Sequence, residues 1–487
     1  MSRTALFHLL LVFALARTPV FGDGAGTSVV PAKPVAREWT SSDGKKLVAE
    51  YLGVLDGSVY LGLTSGKTVP VALAKLSSGD QSFIAANPRE FHRTWSGWPG
   101  ELSATLSNQT VSEAAGTGGK FVYTTRHFRF ETDVNLGREL TKDLACLFEA
   151  THALNSSSPF GILADPDDGY FRAELFGTLD AYRQNGGPVN TAGVYKIPQK
   201  RFLAPLELMG LVKGSDGWRT ASRKAADTTT IIHELTHMLS HDMLQPMPLW
   251  FSEGYAEYLS NIPVENNTFR TGSKAISSEV LKLMAQEYFI KDGIPRTTAD
   301  IGFGGGGSSK NSQQTSPKKL KYQMRSVSEM LEMADSGWCI SGGNPTFPGV
   351  EAIRRLRYYR TAHLIVFYFI EIEGERGLAK LRAMLDCNRL ALAKYNAYVA
   401  DMERYRAAMD LFKQQPGVKQ LPDGRVEYPT TLTPPAPPLE KPAVDPKHLK
   451  QEGVKALLNG ESAAVVGERI ENALRSHFGV SIDFTAK

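Results

Sequence analysis

Five consecutive residues near the middle of the chain have the types and spacing of a metal site. His233, Glu234, Leu235, Thr236 and His237 form the pattern His-Glu-x-x-His. On a helix, residues four apart lie one turn apart on the same face, so both imidazoles can reach one metal ion. Imidazole nitrogen is a common ligand of zinc, and catalytic zinc sites keep one position for water. The pattern therefore predicts one Zn²⁺ per chain, with Glu234 beside the bound water.

The residues around this pattern predict the elements that position it. Aliphatic side chains flank both histidines, and two imidazoles buried among them without a partner would be costly. We therefore expect a buried helix over about Ala225–Met243. A Gln-Pro-Met-Pro run at 245–248 ends that helix, and a second one is expected over about Leu249–Asn261. A turn this short predicts an antiparallel helix pair.

The second helix contains a longer pattern. Residues 250–258 read Trp-Phe-Ser-Glu-Gly-Tyr-Ala-Glu-Tyr. HExxH followed by W-x-x-E-G-x-A-[EDS]-[YF] is similar to the gluzincins, zinc metallopeptidases whose third ligand is a glutamate on the next helix. The resemblance covers roughly 119–390, and it extends to exported bacterial proteins of unknown function within that clan. These share the strand-rich start and a segment similar to LFGTLDAYRQNGG at 175–187.

The resemblance implies a role for each matching residue. His233, His237 and Glu253 would hold the metal, and Glu234 would be the catalytic base. Glu257 matches an acidic position that orients a ligand histidine in some members. For Glu253 the alternative is an ordinary helix residue that faces solvent.

A tyrosine pair lies at the start of another predicted helix. In aminopeptidase-like gluzincins, a Tyr-x-x-[Gly/Ala] at such a position donates a hydrogen bond to the tetrahedral oxyanion. Tyr359 matches that position, and Tyr358 is the fallback. The alternative is that both tyrosines are core or surface aromatics. His241 continues the stripe of the two ligand histidines but lies a further turn away, so we expect it to be packed beside the site.

Together these features predict an exported zinc metallopeptidase that hydrolyses amide bonds of peptides or proteins. A zinc-activated water attacks the carbonyl, and Glu234 accepts the proton of that water and passes it to the leaving nitrogen. An endopeptidase is favoured because the chain has no G-x-M-E-N segment for a free amino terminus. Two alternatives remain. One is a zinc-containing binding or scaffold protein without turnover, and the other is a zinc hydrolase of a non-peptide substrate.

The first residues predict export. A short positive start precedes the apolar run at 5–16, so we expect a signal peptide over 1–22 and a periplasmic or extracellular bacterial protein. The alternative is an N-terminal anchor helix. No second apolar run is long enough to span a membrane, so no integral span is expected after signal removal. The three cysteines are too few for a disulfide framework.

A small module is predicted next. Strands are expected over about 45–54, 58–64 and 68–73, and the turns between them contain glycine. The module resembles the Sla-type homology domain, an SH3-like barrel at the front of many exported bacterial proteins. That resemblance implies an unknown ligand for the module. The residues that carry the resemblance are Arg37, Glu38, Trp39, Thr40, Asp43, Gly44, Lys75, Leu76, Ser77 and Asp80.

The whole pattern is typical of an α+β protein. A small N-terminal SH3-like β-barrel precedes a mixed strand and helix gluzincin-like domain with a largely helical C-terminal half. The low-complexity insert at 303–319 is expected to be a mobile solvated linker or a lid over the cleft of the predicted zinc site. The net charge of +4 is small for 487 residues and no basic stripe is present, so no nucleic-acid partner is expected. The predicted order is signal peptide 1–22, linker 23–36, SH3-like domain 37–90, zinc hydrolase domain 119–415 with the insert 303–319, proline-rich linker 429–442 and C-terminal helical segment 443–487.

Overall fold

The computed structural model describes most of the chain from residue 36 to residue 485. The residues not described within that range are 56, 64–67, 88–94, 96, 105–110, 167, 189–192, 210, 215–216, 221–227, 286–287, 292–293, 298–320, 339–347, 422–424 and 438–447. The predicted signal peptide, nearly all of the linker after it and the 303–319 insert therefore lie outside the described residues. The described residues divide into two units, a larger one within 94–382 and 458–487 and a smaller one within 19–93 and 383–457.

Both strands and helices are present, so the predicted α+β class is confirmed. The described strands, β1 to β21 in chain order, are Ala36–Thr40, Lys46–Leu55, Ser58–Gly62, Thr68–Ala72, Glu101–Ser103, Ser112–Ala115, Phe121–Thr124, Phe128–Thr132, Phe171–Phe176, Val194–Lys196, Arg201–Pro205, Leu211–Gly214, Gly217–Thr220, Val264–Glu265, Thr268–Arg270, Tyr288–Lys291, Ile294–Thr297, Lys321–Gln323, Lys419–Gln420, Val426–Glu427 and Ser481–Asp483. The described α-helices, α1 to α13 in chain order, are Ser78–Ala86, Arg138–Ser156, Leu179–Gln184, Thr228–Leu239, His241–Leu244, Leu249–Ser260, Ser273–Ala285, Val327–Glu332, Asp335–Trp338, Pro348–Phe367, Glu375–Lys413, Leu449–Leu458 and Ala463–Phe478.

In the smaller unit, β1 to β4 form an antiparallel sheet in sequence order, as the predicted hairpins require. Trp39 lies in its core and donates a hydrogen bond to the carbonyl oxygen of Ala49 at 3.0 Å. The buried Asp80 carboxylate accepts hydrogen bonds from Arg37 at 2.6 Å and from the Thr40 amide at 2.7 Å. The motif residues Arg37, Trp39 and Asp80 therefore hold the module together. No closed barrel is formed by the residues of this unit that the structure describes.

A six-stranded mixed sheet in the larger unit has the order β10-β11-β9-β8-β7-β6. Strands β8, β9 and β11 are parallel, and the other neighbours are antiparallel. Helix α2 packs on one face of this sheet. The ring centroid of Phe148 lies 5.2 Å from that of Phe128 and 5.8 Å from that of Phe130. Strand β10 is an edge strand. Every helix in the described part of the chain is too short or too polar to cross a lipid bilayer.

The sequence also predicts one strand over 121–131 and single helices over 350–385 and about 448–477, and each of these three elements is divided in the structure. The strand-like run 121–131 is a hairpin of β7 and β8, because the chain turns where the Thr125 amide donates to the Phe128 carbonyl. The predicted helix 350–385 ends at Phe367 in a π-helical turn, and α11 begins beyond Gly374, whose φ is +61°. The predicted C-terminal helix is α12 and α13.

The two predicted site helices are present as α4 and α6 of the larger unit, with the short α5 between them. Helix α6 also packs against α10. The backbones of these two helices approach closely at Gly254. A Cβ atom at Gly254 would lie 2.5 Å from the carbonyl oxygen of Ala362 and 3.0 Å from a methyl carbon of Val366. A glycine is required here because only hydrogen fits between the two helices.

Replacing Gly254 with alanine is expected to destabilise the protein by about 1–3 kcal/mol, because a methyl group at this contact forces the helices apart. Thermal unfolding of the purified chain measures the effect as a fall in Tm. Gly272→Ala is the matched control, since a Cβ atom there has no neighbour within 4 Å. An unchanged Tm for Gly254→Ala would show that the helices can separate at no cost.

Candidate metal centre

The three predicted ligand side chains converge in the larger unit. The Nε2 atoms of His233 and His237 are 3.1 Å apart. The Glu253 Oε2 atom lies 3.3 Å from the first of these nitrogens and 3.5 Å from the second. All three residues are buried, and their ligand atoms lie within 4.8 Å of one another. This group could hold a metal ion.

The chemistry of the donor set fits a metal. Two imidazole nitrogens and one carboxylate oxygen point at the same small region from two helices. The Glu253 Oε2 atom is fully buried, and no described residue hydrogen-bonds to it. A buried carboxylate oxygen without such a partner is costly unless a cation neutralises it. Two imidazoles and one carboxylate are a combination that catalytic zinc sites use.

The electrostatics of this group also favour a positive charge. Burial opposes the charged form of His233, but the adjacent carboxylates of Glu253 and Glu257, at 3.3 and 3.2 Å, hold the pKa of its imidazole well above the ordinary value. Burial likewise opposes ionisation of Glu253, but the neighbouring His237 and His233 lower the pKa of its carboxyl to about 2. A metal ion must displace the proton from His233, so metal affinity should fall as the pH is lowered.

Glu257 lies where the sequence predicts a residue that orients a ligand. Its Oε1 atom is 3.2 Å from Nδ1 of His233, on the ring edge opposite the converging Nε2 atom. The Asn261 side chain donates to Oε2 of Glu257 at 3.1 Å and to its backbone carbonyl at 2.8 Å. Asn261 was not singled out from the sequence, although its position one helical turn after Glu257 was a signal. Glu257, held in place by Asn261, is therefore positioned to orient the ring of His233.

Replacing Glu257 with glutamine is expected to weaken metal binding about 10–100-fold, because the carboxylate that orients the His233 ring is lost. Competition with a chelator of known affinity measures the change. Glu265→Gln serves as the control, since that carboxylate lies on the surface and pairs with Arg270. Equal affinity in both variants would mean that Glu257 does not support the ligand.

Glu234 lies beside the ligand group without belonging to it. Its Oε2 atom accepts a hydrogen bond from the backbone amide of Tyr195 at 3.0 Å. Burial raises the pKa of the Glu234 carboxyl, and the two imidazoles partly offset that effect. A carboxylate with a raised pKa is a better proton acceptor near neutral pH. The edge strand β10 therefore holds the Glu234 carboxylate through one main-chain hydrogen bond.

The structure distinguishes the two candidate tyrosines. The ring centroid of Tyr359 lies 6.4 Å from that of His233. Both tyrosines lie beside Trp338, at centroid distances of 5.4 and 5.6 Å, but Tyr358 lies under the guanidinium of Arg325, 4.8 Å from the guanidinium carbon. Tyr359 is thus the tyrosine next to the metal ligands, and its role as an oxyanion donor stays a prediction. His241 packs against the ring of Tyr195 at 5.6 Å and is not part of the ligand group.

The three residues predicted to hold the metal, and the one predicted to orient a ligand histidine, therefore lie at one centre. Models of known protein families and the curated proteins give no match to this chain. The arrangement itself could hold a metal ion between α4 and α6, with an acidic side chain beside it. What that chemistry is used for is argued next from the same residues.

Proposed function

We propose that this protein is an exported zinc-dependent metallopeptidase of the gluzincin type that hydrolyses amide bonds. One observation carries the proposal: two imidazoles and a carboxylate converge, all buried, beside a second acidic side chain, Glu234, that is outside the ligand group. A purely structural zinc site usually has four protein ligands and no such neighbour. Three ligands with an adjacent buried carboxylate favour catalysis.

Each residue has a defined task in the proposed reaction. His233, His237 and Glu253 would hold the zinc, which when bound supplies a Lewis acid that polarises a carbonyl and lowers the pKa of water. Glu234 accepts the proton of the attacking water and passes it to the leaving nitrogen. The Tyr195 amide keeps the Glu234 carboxylate in place for both transfers. The Tyr359 phenol, whose ring centroid lies 6.4 Å from that of His233, would donate a hydrogen bond to the developing oxyanion.

The sheet edge supports a peptide substrate. Strand β10 pairs with β11 on one side, and the Tyr195 amide is bonded to Glu234. An extended peptide can therefore add to the outer edge of β10 beside the base. The sequence offers two candidate strand edges for a peptide, near Tyr170–Phe176 and near Gly193–Ile197, and the first of these expectations is wrong. Strand β9 lies between β8 and β11 and has no free edge.

The smaller unit is proposed to be an SH3-like module of the Sla-type homology kind. Its four-stranded antiparallel sheet and the internal contacts of Trp39 and Asp80 support that proposal. Because Arg37, Trp39 and Asp80 are engaged inside the module, we expect any ligand to bind elsewhere on its surface. Export through the predicted signal peptide, to the periplasm or the cell exterior, remains part of the same proposal.

Substrate profiling of the purified, zinc-loaded full-length chain tests the proposed function. Casein and a peptide library are incubated with the protein, and the products are identified by mass spectrometry. We expect cleavage within peptides that is abolished by a chelator and restored by zinc. Stoichiometric zinc with no product from any peptide would contradict the proposal and favour a binding protein or a hydrolase of another substrate.

A further inference from the structure

A cavity of about 200 Å³ lies directly beside the metal centre in the larger unit. Two of its lining residues connect it to the site. Tyr195 is the residue whose amide holds Glu234, and His241 follows the ligand His237 by four residues. Because Tyr195 belongs to β10, a peptide added to the edge of that strand would lie next to this cavity. None of the residues assigned to the metal or to proton transfer lines it.

The walls of the cavity differ in character from its rim. Phe171, Tyr195 and Met238 are buried and form an apolar floor. Asp165 and Lys200 are exposed at the rim. Asp168 and Arg172, also at the rim, form an ion pair with each other. The rim charges are balanced, so the cavity offers no net attraction to a charged side chain.

We propose that this cavity is the subsite that sets cleavage specificity, and that it takes one aromatic side chain of the peptide. The inference rests on the proposed function and adds to it the kind of substrate residue that is recognised. Sites for whole small molecules are usually larger, about 300–1,000 Å³, so this volume suits a single side chain. Aromatic rings in the floor favour an aromatic guest through offset and edge-to-face contacts.

Binding without turnover gives the first test. The zinc-loaded Glu234→Gln full-length chain is titrated with peptide pairs that differ only by phenylalanine or alanine at one position. We expect the phenylalanine peptide to bind about tenfold tighter or more at one position of the peptide, since a buried phenylalanine ring removes more apolar surface from water than a buried methyl group does. Equal affinities at every position would overturn the subsite.

A cavity-filling variant gives the second test. His241→Trp should remove the preference for phenylalanine while the zinc content stays at the wild-type value, because the indole occupies the cavity. His448→Trp is the matched control, since that histidine is exposed in the smaller unit. The readout is the ratio of kcat/KM for the phenylalanine and alanine peptides, which a loss of stability alone would not change.

The outcomes separate the subsite from the proposed function. Hydrolysis by the wild type with the same ratio in His241→Trp overturns the subsite and leaves the peptidase intact. An absence of all hydrolysis overturns the proposed function, and the binding titration then decides whether the cavity accepts an aromatic side chain. A preference for lysine or arginine peptides in place of phenylalanine would also overturn the proposal, because it would mean that the rim carboxylates dominate recognition.

Discussion

Replacing Glu234 with glutamine is expected to lower kcat for peptide hydrolysis roughly 10²–10⁴-fold, the range in which a general base contributes. Glutamine has nearly the same shape and cannot accept the proton of the attacking water. Its amide oxygen can still accept the hydrogen bond from the Tyr195 amide, which the Glu234 carboxylate accepts at 3.0 Å. Bound zinc should stay at one per chain, because Glu234 is outside the ligand group.

The measurement combines steady-state kinetics on a cleaved peptide with zinc analysis of the same preparation. Glu265→Gln is the matched control, since this exposed carboxylate pairs with Arg270 far along the chain from the base. Hydrolysis at the wild-type rate by Glu234→Gln would rule out Glu234 as the base. Loss of zinc together with activity would instead mean that Glu234 helps to hold the metal.

Replacing Glu253 with glutamine is expected to remove most of the stabilisation that zinc confers. At a free zinc concentration 100 times the Kd, binding to the native state raises the free energy of unfolding by about 2.7 kcal/mol. Loss of the anionic ligand should weaken binding by more than the roughly 10–100-fold typical of residues outside the ligand group. At the same zinc concentration the increment then falls to about 0.4 kcal/mol or less.

The comparison uses the change in Tm on adding zinc, measured separately for each variant. The absolute Tm values of the variants cannot be compared directly, because Glu253 also lies within ion-pair distance of His233, so its replacement can change the stability independently of zinc. Glu234→Gln provides the positive control and should keep the full zinc-induced shift. A full shift in Glu253→Gln would remove Glu253 from the ligand set and weaken the proposed function.

Local patterns predicted the helix pair because its signals are short-range. Histidines four residues apart share a helix face, and prolines at 246 and 248 prevent one helix from continuing into the next. The sequence likewise predicts a short helix over Thr178–Gln184, and Thr178 is its N-cap, since the Thr178 hydroxyl accepts from the Ala181 amide at the start of α3. These local patterns predict structure well because the residues that produce them interact with each other within a few positions of the chain.

Other boundaries were missed for identifiable reasons. The predicted C-terminal helix is divided at Asn459 and Gly460, which adopt φ values of +49° and +86°. An Asn-Gly pair is a turn signal, so the sequence itself marks this boundary between two helices. The turn at 125–127 has no glycine or proline. It is stabilised instead by Glu149 of α2, which accepts from Thr125 and from the His127 amide. No pattern within the strand could predict that contact.

The sequence by itself determined the ligand types, their spacing along α4 and the existence of a second helix carrying Glu253. Only the tertiary structure decided which way that carboxylate faces and which of two adjacent tyrosines lies beside His233. It also decided that a main-chain amide of β10 holds the base. The physical reason is that periodicity fixes which residues share a face, whereas the rotation of one element against another depends on packing between residues distant in the chain.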